Sequence, residues 1–211
     1  MNEERIPVAG VILAGGLSRR MGGVEKSLLE LDGKPLVVHV RDRLARQTDS
    51  MLLNANGDPA RHAQLGLPVA ADSVPGFAGP LAGVLAGMDH VAIHAPKCRF
   101  IVTAAADTPF FPADMVERFL KANPGDETTI VLARSGGNRH PVFAMWPVCL
   151  REPLRAFLNG SQGGKVLLFV DRYKLREVDF DQPKGDLDPF FNINTPQDLA
   201  EAETHLERMT T

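Results

Sequence analysis

The chain has 211 residues, of which 44% are hydrophobic and 6% aromatic, and it carries 23 Lys and Arg against 26 Asp and Glu. This composition is that of a globular protein with a substantial core, and it excludes a disordered or fibrous chain. The formal net charge of -3 argues against a protein that holds nucleic acid by neutralising many phosphates. The length predicts one domain over residues 1–211.

The cysteines and the N-terminal sequence bear on the cellular compartment. Cys98 and Cys149 are too few for a disulfide framework or a zinc cluster, which favours a reducing environment. Residues 1–5 lack the pattern of a secretory signal, and no apolar run approaches the roughly 18 residues that span a bilayer. We therefore expect a cytoplasmic protein without a membrane partner.

Predicted strands and helices alternate through the first two thirds of the chain. Residues 8–13 are consecutive apolar positions followed at once by glycines, which predicts a strand buried on both faces. Val37, Val40 and Leu44 have the i, i+3, i+7 spacing of a helix, which we expect over residues 36 to about 47. Further strands are predicted at 51–53, 68–71, 100–103 and 129–132, and further helices, each opening with a proline, at 80–90 and 112–123.

The last third continues the mixed pattern. An apolar run at 142–146 precedes predicted helices near 150–158 and 165–170 and a strand near 175–178. Thr195-Pro196-Gln197-Asp198 supplies a final helix with an N-cap, a proline at its first position and an acid at its third. Strands that alternate with helices predict an α/β fold with a doubly wound, mostly parallel sheet and helices on both faces, as in Rossmann-like proteins.

The segment at residues 13–26 leaves the carboxyl end of the first predicted strand, where open parallel sheets bind their ligands. Glycine pairs at 15–16 and 22–23 let the main chain turn sharply and bring N–H groups close to an anion. The segment also carries three cations, so a polyphosphate is the ligand that it favours. The three cations are Arg19, Arg20 and Lys26.

Spacing separates this segment from two other glycine-rich phosphate motifs. A Walker A loop needs glycine directly before its lysine, but Glu25 precedes Lys26, and Arg20 stands where that motif begins with glycine. A dinucleotide-binding fingerprint needs Gly-x-Gly-x-x-Gly after the strand, which the two glycine pairs do not provide. The segment is therefore neither a P-loop nor an NAD-binding turn.

The glycine-rich segment resembles the signature of the nucleotidyltransferases with a doubly wound α/β fold, and in detail that of the molybdenum cofactor guanylyltransferases. The residues that carry this resemblance are Leu13-Ala14-Gly15-Gly16, Arg20-Met21-Gly22 and Lys26. Six further segments match the same family in order along nearly the whole chain. They are Asn54-Ala55-Asn56, Asp72-Ser73, Gly79-Pro80-Leu81-Ala82-Gly83, Asp107-Thr108-Pro109, His140-Pro141 and Asn192-Ile193-Asn194-Thr195-Pro196.

The resemblance implies an enzyme that transfers GMP from GTP, with Mg²⁺ as cofactor, to molybdopterin carrying molybdenum. The products would be the guanine dinucleotide form of that pterin and pyrophosphate. Within a single domain, the N-terminal part would bind the nucleotide and the C-terminal part would face the pterin. The implied protein partners are molybdenum-insertion proteins, a GTP-binding accessory protein and apo-molybdoenzymes or their chaperones, all in transient contact.

The family pattern implies a phosphate site in the glycine-rich segment of this chain. The backbone of Leu13, Ala14 and Gly15 would line the nucleotide, and Lys26 would contact the triphosphate. Arg20 would help to hold the phosphates during an in-line transfer, in which positioning and charge neutralisation supply most of the catalysis.

The same pattern implies roles for residues that follow other predicted strands. Asp107 would bind Mg²⁺, since one or two carboxylates suffice when phosphate oxygens complete the coordination of that ion. Asn54 and Asp72 would contact GTP, and the sequence leaves open which of them reads the guanine base. Asn192 and Asn194 would lie on the pterin side of the cleft.

Each of these last residues also has a purely structural interpretation. Asn54 would otherwise be a turn residue, Asp72 a loop acid and Asp107 a helix cap, and the two asparagines would form the turn before the last helix. His140 would either contact the substrate or be a packed or surface histidine without a role in the reaction. The glycine stripe at 79, 83 and 87 is expected to serve close packing of a helix on the sheet, and Trp146 is expected in the core.

Three other functions compete with guanylyl transfer. A cytidylyltransferase that uses CTP on the same pterin typically reads Leu-Ala-Ala-Gly where this chain reads Leu13-Ala14-Gly15-Gly16, so the glycine pair favours GTP. A sugar-1-phosphate or methylerythritol nucleotidyltransferase would have the same fold. A non-catalytic carrier of the pterin would need no carboxylate at residue 107, whereas a metal-dependent transferase would.

Overall fold

A computed structural model describes residues 6–15, 26–74, 79–160, 165–180 and 186–210. The strands in these ranges are β1 (Val8–Leu13), β2 (Glu30–Leu31), β3 (Lys34–Pro35), β4 (Ser50–Asn54), β5 (Val69–Ala70), β6 (Phe100–Ala105), β7 (Thr129–Ser135), β8 (Asn138–Pro147) and β9 (Lys174–Asp179). The α-helices are α1 (Leu36–Ala45), α2 (Pro80–His94), α3 (Met115–Ala122), α4 (Arg151–Leu158), α5 (Val166–Val170) and α6 (Pro196–Thr210). None of these helices is both long enough and apolar enough to cross a membrane.

Seven strands form one sheet in the order β5-β4-β1-β6-β8-β7-β9, and β2 pairs separately with β3. β4 and β6 flank β1, and both run parallel to it. β8 runs antiparallel to its neighbours β6 and β7, while β9 runs parallel to β7. The predicted mostly parallel sheet is confirmed, with β8 as the strand of opposite direction.

The order of the strands places a crevice beside β1. The chain passes from β1 to β4 and β5 on one side and then returns to β6 on the other side of β1. Open α/β sheets bind ligands at such a reversal, outside the carboxyl ends of the strands. Leu13 and Ala105 pair at that edge of β1 and β6, so the residues that follow them face a common crevice.

β1 is buried on both faces, which explains its unbroken apolar sequence. Val8 and Ile12 belong to the hydrophobic cluster that contains residues of α1 and α3. Ala9 and Val11 point to the opposite face, into the cluster that contains residues of α2 and α4. Because side chains alternate along a strand, every second residue of β1 serves each of the two layers.

Two glycines of α2 bring this helix close to the sheet. A Cβ atom on Gly87 would lie 2.8 Å from Val11 Cγ2, and one on Gly83 would lie 2.8 Å from Leu13 Cδ2 and closer still to Asn54 Oδ1. No side chain fits at either position without a shift of its neighbours. The prediction of close packing between helix and sheet is therefore confirmed for these two residues.

Helix boundaries differ from the sequence prediction in two places. α3 begins at Met115, so the prediction of a helix that opens at Pro112 is wrong. The Pro112 carbonyl accepts hydrogen bonds from the Met115 N–H at 3.2 Å and from Gln47 Nε2 at 3.2 Å, which forms a turn ahead of the helix. α2 continues four residues beyond the predicted end, to His94. Trp146 is fully buried, as expected, and donates to Thr103 Oγ1 at 3.0 Å.

Candidate functional site

A cleft of about 570 Å³ opens at the carboxyl ends of β1, β4 and β6. We call its two parts the proximal half and the distal half. The proximal half is lined by Leu13, Ala14, Gly15, Lys26, Asn54 and Asp72, and the distal half by Arg139, His140, Phe143, Phe190 and Asn192. Asp107 lines the same cleft, as do Gly79 and Pro80 at the start of α2. Of the candidate residues named from the sequence, all that the structure describes line this cleft except Asn194, which contacts it through Lys26.

The backbone at the end of β1 is fixed by hydrogen bonds to both neighbouring strands. The Ala14 N–H donates to the Asn54 carbonyl at 2.8 Å, and the Leu13 carbonyl accepts from the Ala106 N–H at 3.1 Å. A Cβ atom on Gly15 would lie 3.0 Å from Asn54 Oδ1, so a side chain here would crowd the polar groups of the cleft. The predicted phosphate ligand Arg20 belongs to residues 16–25, outside the described part of the chain.

Three side chains form a hydrogen-bonded network in the proximal half. Asn54 is 2% exposed and its Nδ2 donates to Asp72 Oδ1 at 3.0 Å and to the Ala70 carbonyl at 3.1 Å. Asn56 Nδ2 donates to Asp72 Oδ2 at 2.8 Å, and Asn56 Oδ1 accepts from the Asp72 N–H at 3.0 Å. Asn54 Oδ1 receives no hydrogen bond from the described residues, so it is free to accept one from a ligand.

Asp107 follows β6, is partly buried and lines the cleft. Burial raises the pKa of this carboxyl group above its ordinary value, and the positive charge of Lys26 opposes that shift. Thr108 Oγ1 donates to Asp107 Oδ1 at 3.3 Å, and the Asp107 carbonyl accepts from the Ile193 N–H at 3.0 Å. Asp107 does not cap α3, because Asp114 occupies the N-cap position of that helix.

Lys26 is held by the segment that begins α6. Its Nζ donates to Asn194 Oδ1 at 2.6 Å. Asp198 Oδ2 accepts from the Asn194 and Thr195 N–H groups, both at 2.8 Å, while Thr195 Oγ1 accepts from the Asp198 N–H at 3.1 Å. These bonds lower the pKa of Asp198, with the Asn194 N–H as the largest cause. The predicted N-cap at Thr195 is confirmed, and it holds Asn194 beside the lysine.

The distal half is aromatic on one side and polar on the other. The Phe190 ring lies 4.8 Å from the Phe143 ring and 4.5 Å from the His140 ring, measured between centroids. Asn192 accepts a short hydrogen bond from Thr108 Oγ1. Arg139 lines the same half and forms an ion pair with Glu177 Oε1, with its Nε at 2.7 Å. A planar heterocycle with polar edges suits such a lining.

Several residues of the site carry no role in the sequence prediction. Asn56 and Thr108 belong to two of the segments that match the family. Neither residue type, beside an asparagine or an aspartate, predicts a role of its own in the site. Arg139 and Phe190 lie far apart in the sequence, and only the pairing of β8 and the path of the segment before α6 bring them together. Lys34, a cation outside the glycine-rich segment, is exposed on β3 and does not line the cleft.

The carboxylate of Asp107 suits a divalent cation that is shared with a phosphate ligand. No group of three or more His, Cys, Asp or Glu side chains in the described residues could hold a metal ion alone. A carboxylate whose pKa burial raises, with one lysine as its opposing charge, leaves room for a further positive charge. Hard cations such as Mg²⁺ bind one or two carboxylates and complete their coordination with phosphate oxygens and water.

Comparison with known proteins gives matches along nearly the whole chain. Residues 10–177 match the family model of the MobA-like NTP transferase domain. A molybdenum cofactor guanylyltransferase from Bradyrhizobium sp. (strain ORS 278) is 52% identical over 93% of this chain and 92% of its own length. The crystal structure of molybdopterin-guanine dinucleotide biosynthesis protein A from Archaeoglobus fulgidus has a TM-score of 0.73 and 25% identity, over 95% of this chain and all of that one. Rv0371c from Mycobacterium tuberculosis, solved in complex with manganese, has a TM-score of 0.67 at 20% identity, over 95% of this chain and 100% of that one.

Proposed function

This chain belongs to the MobA-like NTP transferase family, and we propose that it is a molybdenum cofactor guanylyltransferase. It transfers GMP from GTP to molybdopterin that carries molybdenum, and it releases pyrophosphate. The observation that carries the proposal is the meeting of Lys26 and Asp107 in one cleft, in a chain that is 52% identical to a guanylyltransferase.

The reaction is an in-line displacement at the α-phosphorus of GTP. An oxygen of the terminal phosphate of molybdopterin forms a bond to that phosphorus while the bond to the β-phosphate oxygen breaks. The attacking phosphate is already largely ionised near neutral pH, because the second pKa of a phosphate monoester is about 6, so no general base is required. The chain must therefore position two anions and neutralise their charge.

The proximal half of the cleft binds the nucleotide in this proposal. The backbone of Leu13, Ala14 and Gly15 lines the nucleotide, and Lys26 binds the triphosphate from the position in which Asn194 holds it. Arg20, in the adjacent glycine-rich segment, is assigned to the phosphates as well. Positive charge on this side stabilises the negative charge that develops on the leaving pyrophosphate.

A divalent cation belongs to this site, and we assign it as Mg²⁺ with Asp107 as its protein ligand. When bound, the ion supplies charge neutralisation to the phosphates of GTP. Thr108 Oγ1 lies 3.3 Å from Oδ1 of this carboxylate, and the Ile193 N–H holds the Asp107 backbone by donating to its carbonyl at 3.0 Å. The charge of Lys26 acts on the same carboxylate, so Lys26 would hold the triphosphate and Asp107 its cation within one cleft.

Asn54 and Asp72 contact the nucleoside of GTP. Both amide hydrogens of Asn54 are engaged by Ala70 and Asp72, which directs its free Oδ1 toward the cleft beside Gly15. Each carboxylate oxygen of Asp72 accepts one amide hydrogen and retains capacity for another. Guanine carries two neighbouring donors, N1–H and N2–H₂, and acceptors of this kind suit that edge.

The pterin occupies the distal half, with Asn192 between the two substrates. We also propose that residues 1–211 act as one cytoplasmic domain. Its protein partners are molybdenum-insertion proteins, a GTP-binding accessory protein and apo-molybdoenzymes or their chaperones.

The test is nucleotidyl transfer by the purified protein. We expect pyrophosphate release and guanine dinucleotide formation when GTP, Mg²⁺ and molybdenum-loaded molybdopterin are all present, and no release when EDTA replaces Mg²⁺. Faster turnover with CTP would instead make the protein a cytidylyltransferase. Activation of a hexose 1-phosphate without use of the pterin would overturn the assignment of the acceptor.

A further inference from the structure

A chain of three polar side chains, with a buried serine at its centre, joins the distal half of the cleft to the segment before α6 and has no part in the reaction as described. Ser135, at the end of β7, is 1% exposed. Its Oγ lies 2.6 Å from His140 Nε2 and 2.7 Å from Asp188 Oδ2. The three residues come from β7, β8 and the segment before α6, so the fold itself brings them together.

The directions of these hydrogen bonds follow from a count of protons. Asp188 Oδ1 accepts the Phe190 N–H at 2.7 Å, and an ionised carboxylate can only accept. Ser135 has one hydroxyl proton and donates it to Asp188 Oδ2. The serine oxygen must then accept from His140, which fixes the proton of the imidazole on Nε2.

The second nitrogen of the His140 ring is left as an acceptor. Burial lowers the pKa of His140 from its ordinary value and outweighs the opposing effect of the Asp188 charge, which favours the neutral ring. Nδ1 points away from Ser135, because the two nitrogens of an imidazole face different directions. Within the described part of the chain Nδ1 has no hydrogen-bond partner, and His140 lines the cleft.

The surroundings of His140 indicate what this acceptor meets. The ring packs against Phe190 in a tilted arrangement, with 4.5 Å between centroids and an interplanar angle of 31°, and Phe190 in turn contacts Phe143. A flat heterocycle that enters the distal half therefore meets an aromatic wall with one fixed acceptor at its edge. A pterin has this shape and carries N–H donors on its ring and amino group.

We propose that His140 selects the acceptor substrate by accepting at Nδ1 a hydrogen bond from an N–H group of the heterocycle. Ser135 and Asp188 are positioning residues that hold the ring in the required tautomer. The inference rests on the proposed function, because it assigns the acceptor substrate to the distal half of the cleft.

The first test compares two variants of His140 in transfer assays with GTP and molybdopterin. His140→Phe keeps a flat ring against Phe190 but removes the acceptor, so the KM for molybdopterin should rise about tenfold, the equivalent of one hydrogen bond. The KM for GTP should stay within about twofold. His140→Asn, which restores an oxygen near the place of Nδ1, should recover part of the loss. An unchanged KM for molybdopterin in His140→Phe, or an equal rise for both substrates, would overturn the proposal.

The second test asks which group donates the hydrogen bond to His140: an N–H of the pterin, or a protonated oxygen of the substrate phosphate. The KM ratio between His140→Phe and the unchanged protein is measured at pH 6.5 and at pH 8.5, where a phosphate monoester with a second pKa of about 6 has lost its proton. The ratio should persist at pH 8.5 if the donor is a ring N–H. Loss of the ratio at the higher pH would assign the contact to the phosphate and refute the heterocycle.

The third test observes the tautomer directly and does not depend on activity. Two-dimensional ¹H–¹⁵N spectra of the labelled protein should show His140 protonated at Nε2 and bare at Nδ1, and Ser135→Ala should give a mixture of tautomers. A proton on Nδ1 in the unchanged protein would refute the proposal. If the unchanged protein transfers no nucleotide to molybdopterin, the proposed function fails. If it does and His140→Phe behaves identically, only this inference fails.

Discussion

At the scale of the residue, Asp107 carries a charge that the folded protein accommodates poorly on its own. Burial raises the pKa of its carboxyl group, and Lys26 offsets only part of that effect. A group whose pKa is raised by folding stabilises the folded state below its unfolded pKa, and that contribution is lost as the pH rises through the raised value. At neutral pH the ionised Asp107 therefore lowers the free energy of unfolding, and a bound cation would reverse this cost.

Asp107→Asn is predicted to separate stability from activity. Removal of the charge should leave the melting temperature of the ligand-free protein at pH 7 unchanged or higher, while turnover falls at least about 100-fold because the proposed metal ligand is gone. Calorimetry and pyrophosphate release measure the two effects. Asp32→Asn, an exposed carboxylate in the turn between β2 and β3, is the matched control and should change neither. Transfer at the normal rate in Asp107→Asn would refute the role of this residue.

Single residues of the site were predictable where the residue type and its place after a strand coincide. Asn54 directly follows a predicted strand, Asp107 comes four residues after another, and both line the cleft. Asn56 gives no such signal, since its bond to Asp72 depends on the pairing of β4 with β5. His140 was predictable only as an alternative between substrate contact and packing, because Ser135 and Asp188 decide its tautomer and are distant in the sequence.

At the scale of the element, α2 connects the packing of the sheet with the geometry of the proposed nucleotide site. Gly83 and Gly87 lie one turn apart and face the same sheet, but they contact different groups. Gly87 approaches Val11 in the apolar core, and Gly83 approaches Asn54 in the cleft. The helix therefore offers two substitutions of the same kind with different expected consequences.

Gly83→Ala and Gly87→Ala are predicted to lower the free energy of unfolding by similar amounts but to differ in their effect on nucleotide binding. Each added methyl group overpacks a tight contact, for which about 1 to 3 kcal/mol of destabilisation is typical. Gly83→Ala should displace Asn54 and raise the Kd for GTP at least about tenfold, whereas Gly87→Ala should leave it within about twofold. Chemical denaturation and titration calorimetry measure the two quantities. Equal GTP affinity in both variants would contradict the role given to Asn54.

The start of α6 supplies a second prediction at this scale. Thr195→Ala removes an N-cap hydrogen bond, which typically costs about 1 kcal/mol, and it loosens the segment that holds Asn194 against Lys26. The midpoint of urea unfolding should fall and the KM for GTP should rise. Thr204→Ala in the same helix is the control, because within the described residues this hydroxyl bonds only the Ala200 carbonyl, and its loss should cost less than about 0.5 kcal/mol. Equal destabilisation by the two variants would show that the cap does not order the segment.

Element boundaries followed from the sequence where a local signal marks them. Thr195 and Asp198 satisfy the first turn of α6 with their own side chains, so the start of that helix was predictable. Pro112 carries the same kind of signal but forms a turn, because its carbonyl accepts hydrogen bonds from Gln47, two residues after α1, and from Met115. A tertiary contact from a distant part of the chain overrides the local preference there.

At the scale of the whole molecule, the alternation of strands and helices predicted the class of fold but not the direction of every strand. β8 begins at Asn138, after a tight turn that contains Gly136 and Gly137, both with positive φ. This hairpin reverses the chain and makes β8 antiparallel between β6 and β7. As a consequence, the first residues of β8 lie at the same edge of the sheet as the last residues of β6, which completes the distal half of the cleft.

The whole fold therefore brings two sets of groups to one edge of the sheet. The ends of β1, β4 and β6 supply the proximal half, and the start of β8 with the segment before α6 supplies the distal half. The nucleotide and the acceptor substrate can then approach each other across Asp107. The central claim is that a divalent cation held by Asp107 joins the triphosphate to the chain.

Titration calorimetry of GTP into the full chain, with and without Mg²⁺, tests this claim most directly. We expect Mg²⁺ to tighten GTP binding at least about tenfold in the unchanged protein, and we expect that dependence to disappear in Asp107→Asn. GTP affinity that is the same with and without Mg²⁺, or a full Mg²⁺ dependence in Asp107→Asn, would contradict it.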